Sequence, residues 1–149
     1  KGGAGSDSIW GGDGDDTIVG GSGYDYMSGG SGKDTFVFSG NDSKATYLGH
    51  DIITDFGSAD RLDIDGYVGA KNNMVSAAFH SDSKRGEDIF NTAKSVAADW
   101  AEKRGVDAVY VSNDKVGFLF VNTDNDAAFE VAIELQDMGR GDLHWSQIL

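Results

Sequence analysis

No cysteine occurs among the 149 residues, which excludes a disulfide framework and any zinc–thiolate site. Basic residues are scarce: 12 Lys and Arg stand against 25 Asp and Glu, for a net charge of -13. Nucleic-acid binding wants a basic face, and anionic lipid repels an acidic chain, so neither is expected as a partner. No apolar run approaches the ~20 residues that cross a bilayer. Lys1-Gly2-Gly3 carries no secretory leader. A lysine stands where an initiator methionine would be, which predicts that the chain begins inside a longer protein. His50, His80 and His144 are scattered, and no His-Glu-x-x-His motif is present to hold a catalytic zinc. His80 and His144 read as surface residues. There is no Gly-x-Ser-x-Gly elbow either, so no catalytic constellation is legible. An acidic chain invites cations, and the arrangement of its acids becomes the question.

Glycine is abundant and unevenly placed: 13 of the 22 lie in residues 1–40, where an internal repeat emerges. Written in nines, the segment gives Gly2-Gly3-Ala4-Gly5-Ser6-Asp7-Ser8-Ile9-Trp10, then Gly11-Gly12-Asp13-Gly14-Asp15-Asp16-Thr17-Ile18-Val19. Gly20-Gly21-Ser22-Gly23-Tyr24-Asp25-Tyr26-Met27-Ser28 and Gly29-Gly30-Ser31-Gly32-Lys33-Asp34-Thr35-Phe36-Val37 come next without a gap. Gly-Gly-x-Gly needs backbone conformations that residues with a Cβ resist. The residues after each aspartate form a short strand, in which alternation turns Ile9, Ile18, Met27 and Phe36 inward. A Gly/Asp-rich flexible linker is the bland alternative, and the strict register of the apolar eighth residue argues against it.

The nonapeptide Gly-Gly-x-Gly-x-Asp-x-U-x, with U large and apolar, resembles the calcium-binding repeat of the RTX (repeats-in-toxin) family. The resemblance implies a flattened right-handed roll in which two repeats make one coil. Turns on one edge then come from alternate repeats, pairing Asp7 with Asp25 and Asp16 with Asp34. Turn carbonyls would supply the remaining oxygens: those of Gly2, Ala4, Gly21 and Gly23 on one edge, and of Gly11, Asp13, Gly30 and Gly32 on the other. Calcium suits a flexible, all-oxygen site of this kind better than magnesium does. Four inward side chains cannot hold so thin a roll, and its clustered carboxylates repel one another, so metal binding should be linked to folding. Four nonapeptides make barely two coils. The roll has to lean on the residues C-terminal to it, continue before Lys1, or both.

Residues 35–38, 51–56 and 61–64 read as strands by alternation and β-branched content. Asp34-Thr35-Phe36-Val37-Phe38, Asp51-x-Ile53-x-Asp55-Phe56 and Asp60-Arg61-Leu62-Asp63-Ile64 resemble the segment that closes the roll in serralysin-type proteases, RTX lipases and alginate epimerase modules. That resemblance implies that Asp51, and less strongly Asp55, finishes a calcium site below Asp25 or Asp34; the alternative is that both flank a strand and face water. Ile89, Phe90, Ala93, Val96, Ala97, Trp100 and Ala101 keep helical spacing, which predicts an amphipathic helix over 87–104, from about Gly86 to a stop at Gly105. With its approach from about Lys71, it looks like an insertion relative to shorter family members. Residues 108–111, 117–121 and 129–135 predict an antiparallel meander. Asn122-Thr123-Asp124-Asn125-Asp126 begins like an EF-hand loop but lacks its glycine and its final glutamate; an Asp/Asn-rich turn is the better account, with a weaker calcium site as the alternative. Leu143–Leu149 loosely resembles the end of type I secreted proteins, whose export information is C-terminal.

The fold class expected is mainly β: a short right-handed parallel β-roll over 1–37, continuing into a β-rich cap over 38–149 with one amphipathic α-helix. The expected function is that of a calcium-binding, non-catalytic RTX module of a secreted, extracellular protein. Its partners would be Ca2+, the type I secretion apparatus during export, and an N-terminal remainder of the parent protein. Two further readings remain. One is a polysaccharide- or cell-surface-binding module, for which Trp10, Tyr24 and Tyr26 are the aromatics of interest. The other is the C-terminal part of a protease, lipase or epimerase.

Overall fold

The computed structural model describes residues 1–40, 42–67, 74–79, 81, 83, 85–124, 128–136, 138 and 143–149. The repeats form β1 (Gly3–Ala4), β2 (Ser8–Asp13), β3 (Thr17–Val19), β4 (Gly21–Ser22), β5 (Tyr26–Ser31) and β6 (Thr35–Phe38). After a loop come β7 (Asp51–Ile53) and β8 (Arg61–Ile64). The cap comprises β9 (Met74–Ala78), α1 (Gly86–Arg104), β10 (Ala108–Ser112), β11 (Val116–Val121), β12 (Val131–Gln136) and a terminal 3-10 turn, Trp145–Gln147.

Every pairing within the repeats is parallel. Ser8 stands opposite Tyr26, and Thr17 opposite Thr35, a displacement of two nonapeptides per coil. A third coil lies beyond the repeats, because β7 pairs with β5 and β8 with β6, again in parallel. The roll therefore has two faces: β3-β6-β8 is one, and β2-β5-β7 belongs to the other. That second face does not stop at the roll. β12 adds to β7 in parallel and the sheet continues as β2-β5-β7-β12-β11-β10-β9.

Inward alternation is as expected: Ile18, Met27 and Phe36 are buried, joined from the third coil by Ile53 and Leu62. Only Ile9, in the outermost coil, stays half-exposed. This interior runs directly into the cap, where Tyr110, Leu119, Val121, Ile133 and Leu135 belong to the same apolar cluster. The opposite face of β10 and β11 carries Val109, Val111, Phe118 and Phe120, which pack against Phe90, Ala93 and Ala97 of α1.

The helix begins with Glu87 and Asp88 and ends with Lys103 and Arg104, each complementing the helix dipole. Gly105 stops it in the left-handed conformation, φ 61°, with its N–H donating to Ala101. The helix and the β10–β11–β12 meander match expectation. In the approach to the helix, where no element was expected, β9 is a strand parallel to β10, so β9-α1-β10 is a strand–helix–strand crossover. The strand expected over 51–56 ends at Ile53. The C-terminal segment closes the other face, where Ile148 bridges to Leu62 and the Leu149 N–H donates to the Leu62 carbonyl at 2.7 Å.

Candidate metal centre

The repeat aspartates stand in two columns, one on each edge of the roll. On the first edge the Asp7 N–H donates to Asp25 Oδ1 at 2.9 Å, and the Asp25 N–H donates to Asp51 Oδ1 at 2.9 Å. On the second, the Asp16 N–H donates to Asp34 Oδ1 at 2.9 Å and the Asp34 N–H to Asp60 Oδ1 at 3.0 Å. Each of these accepting carboxylates is thus oriented through one oxygen by the backbone of the coil before it. The other oxygen, Oδ2, is buried without a hydrogen-bond partner in Asp7, Asp16, Asp25, Asp34 and Asp51. Five unpaired buried carboxylate oxygens in one small roll are costly unless a cation or a proton meets them.

The glycines explain how these oxygens are held. A Cβ built on Gly20 would stand 2.5 Å from Asp25 Oδ2, so the first glycine of the repeat makes room for the carboxylate. Gly21, at φ 99°, has a backbone that side chains rarely adopt, and a Cβ there would collide with the Gly3 carbonyl of the coil above. The register sets Gly3 against Gly21 and Gly12 against Gly30. It likewise sets Ala4 beside Ser22 and Asp13 beside Ser31, so that the turns of alternate repeats stack on one another. Among the described residues, no three His, Asp or Glu side chains converge on one point. A cation here must therefore draw much of its shell from turn carbonyls, and an all-oxygen set of that kind fits calcium.

Burial pushes the carboxyl of Asp25 up, helped by the charges of Asp7 and Asp42 and opposed by the Asp7 N–H. Asp34 is raised by burial too, with Asp60, Asp16 and Asp55 adding repulsion. Asp51 is pushed up to about 8, by burial first and then by the charges of Asp25 and Asp42, against the hydrogen bond from the Asp25 N–H. Without a metal these sites hold protons more tightly than an ordinary carboxyl does; with one, the protons must leave.

Of the two residues expected beyond the repeats, Asp51 joins the first column, below Asp25. Asp55 is exposed just past the end of β7, as the alternative has it. Its carboxylate caps the fourth repeat, accepting the Gly29 and Gly30 N–H groups at 2.9 Å each and the Ser28 hydroxyl at 2.6 Å. The residue that takes the matching place in the second column is Asp60, which sequence reasoning did not single out. Its signal is present in the chain: Asp60 lies nine residues after Asp51, and each is followed two places on by a buried apolar residue, Ile53 or Leu62. That is the spacing of Asp7 to Ile9, without the glycines.

His50 carries no comparable signal in the sequence. It is buried, stacked on Phe90 at 4.6 Å, with Nε2 3.2 Å from Glu134 and Nδ1 3.1 Å from the Thr46 carbonyl. His144 is exposed as expected, while His80 lies outside the described residues. In the loop after β11, the Asp124 N–H donates to Asn122 Oδ1, the expected Asx-type turn; Asn125 and Asp126 lie outside the described residues.

No curated protein matches the chain. Among solved structures, the chain is similar to the AlgE6R3 subunit of the mannuronan C5-epimerase from Azotobacter vinelandii. The identity is 20%, with 100% of this chain and 80% of that one covered and a TM-score of 0.53. The likeness is one of fold, a mainly β module built on a repeat β-roll. The family model for the RTX calcium-binding nonapeptide repeat, which spans four copies, matches residues 1–36 and 11–43. Residues 1–43 of this chain thus match the RTX calcium-binding nonapeptide repeat.

Proposed function

We propose that this chain is a non-catalytic module of a secreted protein, which folds when it meets calcium outside the cell and stabilises the parent protein to which it is joined. The observation that carries this reading is the set of buried, unpaired Oδ2 atoms ranked along the two edges. Asp7 with Asp25, and Asp16 with Asp34, supply the side-chain ligands. The carbonyls of Gly2, Ala4, Gly21 and Gly23, and of Gly11, Asp13, Gly30 and Gly32, complete the two shells. Calcium at about 0.1 to 1 mM, the range of extracellular modules, drives folding. The low-calcium cytosol leaves the repeats unfolded for the type I secretion apparatus. The parent is a secreted hydrolase or epimerase, and the likeness to an epimerase subunit supports that choice.

A calcium titration of metal-stripped protein, followed by circular dichroism, tests this. The β signal and melting temperature should rise together as calcium is added. Replacing Asp16 and Asp34 by alanine should weaken the response far more than replacing Asp13 and Asp15. An unchanged spectrum sinks calcium-linked folding, and equal losses sink the ligand assignment.

A second reading, binding of a polysaccharide or cell surface, is favoured by one feature. Trp10 and Tyr26 are 68% and 40% exposed and lie on the same face of neighbouring strands. Tyr24 is half-buried. Polysaccharide titration with and without calcium separates this activity from a pure folding role.

A further inference from the structure

The third coil ends differently on the two edges, although Asp51 and Asp60 occupy equivalent places in it. On the first edge, Asp51 is fully buried and its Oδ2 has no partner. Its backbone is fixed from the cap side: the Asp51 N–H donates to Ser43 Oγ at 2.7 Å, and that hydroxyl donates to the Ala132 carbonyl of β12 at 2.6 Å. Asp42 lies near enough to repel both Asp25 and Asp51. An open groove of about 540 Å³ runs along this edge, lined in part by Ser22, Gly23, Asp42 and Gly49.

On the second edge both oxygens of Asp60 are met by protein. Asp60 Oδ1 accepts the Asp34 N–H, and its Oδ2 accepts the Gly57 N–H at 2.7 Å. The Asp55 carboxylate takes the amides of Gly29 and Gly30. The side-chain amide of Gln147, itself buried, donates to the Gly57 carbonyl at 3.0 Å. A neutral N–H donor from the C-terminal segment thus points at a turn carbonyl where the coils above would offer theirs to a cation.

We propose that the roll holds three calcium ions and not four: one between Asp7 and Asp25, one between Asp16 and Asp34, and a third at Asp51, while Asp55, Asp60 and Gln147 close the equivalent level of the second edge without metal. The inference rests on the calcium reading above and accounts for all five unpaired carboxylate oxygens, two for each upper ion and one for the third. Desolvated carboxylate oxygens need a counter-charge, whereas carboxylates already accepting backbone amides do not. The third ion is also the one beside the cap, because Asp51 is tied to β12 through Ser43.

Counting calcium bound by the whole chain tests this, by equilibrium dialysis at saturating calcium with a native mass spectrum alongside. Three ions per chain are expected. Four would overturn the metal-free closure of the second edge, two would overturn the site at Asp51, and none would overturn the calcium reading itself. Asp51→Asn should lower the count from three to two, and a count still at three would remove Asp51 from the site. Gln147→Ala should lower the melting temperature and leave three ions bound; a count of four would show the amide to be only a plug. If Asp51→Asn fails to fold, the count on the unaltered chain still decides.

Discussion

In the roll, strands are two to six residues long and the interior is a single layer of apolar side chains. In the cap, β10 is buried at every position, with the roll's core on one face and the helix on the other. The roll instead buries carboxylates: Asp25, Asp34, Asp51 and Asp60 are all nearly inaccessible, while the buried residues of the cap are mostly apolar. The cap can draw its stability from the hydrophobic effect. In the roll the apolar core is set against clustered like charges, which on the calcium reading a cation offsets. If calcium drives folding as proposed, the difference teaches that metal dependence is local to the edges of the roll and should fade across β12.

The largest effect that separates the two regions is that of pH on the metal-free protein. Burial raises Asp25 and Asp34 above the ordinary carboxylate value, and Asp51 to about 8. A carboxyl whose folded value is raised stabilises the fold fully below its unfolded value, near about 4, and that contribution is lost as pH climbs through the folded value. Without calcium, the roll should therefore melt at lower temperature as pH rises from about 4 to about 8. With saturating calcium the trend should reverse, because the ion binds the deprotonated form. Melting curves across that window, with and without calcium, check it. Parallel trends in both states would mean that the buried carboxylates are not where the metal acts.

Much of this contrast was legible in the chain. The four repeats show the turn chemistry directly, because each glycine answers a local demand for a positive φ or a missing Cβ. The helix was equally clear, from Ile89 to Gly105, since its periodicity and its stop are local. The third coil was harder. It lacks the glycines, and only the nine-residue step from Asp51 to Asp60, with Ile53 and Leu62 in place, preserves the phase. β9 left still less trace. Met74–Ala78 is short, and it becomes a strand by pairing with β10 across an intervening helix, a long-range condition that no local pattern records. The Gln147 contact is of the same kind, joining residues 90 apart.

A smaller effect sharpens the contrast from the cap side. Phe90 is fully buried among His50, Phe118 and Phe120, at the centre of the helix–sheet contact. Phe90→Ala should cost about 3–5 kcal/mol by loss of burial and the cavity left behind. Because no proposed calcium ligand lies in that cluster, the loss should be of similar size with and without calcium. Denaturant unfolding followed through the helical signal measures it. A loss seen only in the calcium-bound state would make the cap as metal-dependent as the roll.

The smallest effect concerns glycine itself, which the two regions use differently. Gly105 has φ 61° and ψ 48°, with nothing near enough to meet an added Cβ. That conformation is open to other residues at a cost of roughly 1–2 kcal/mol, and least to asparagine. Gly105→Ala should therefore lower cap stability by about that amount, with Gly105→Asn losing less. At Gly21 the same exchange meets both a φ of 99° and the Gly3 carbonyl, so Ala and Asn should be equally damaging there and should weaken calcium binding as well. Thermal melts of the four variants would make the distinction. If Gly21→Asn proved as mild as Gly105→Asn, the roll's glycines would be serving only as helix-stop glycines do, and the close stacking of coils that sets the calcium turns would not be what requires them.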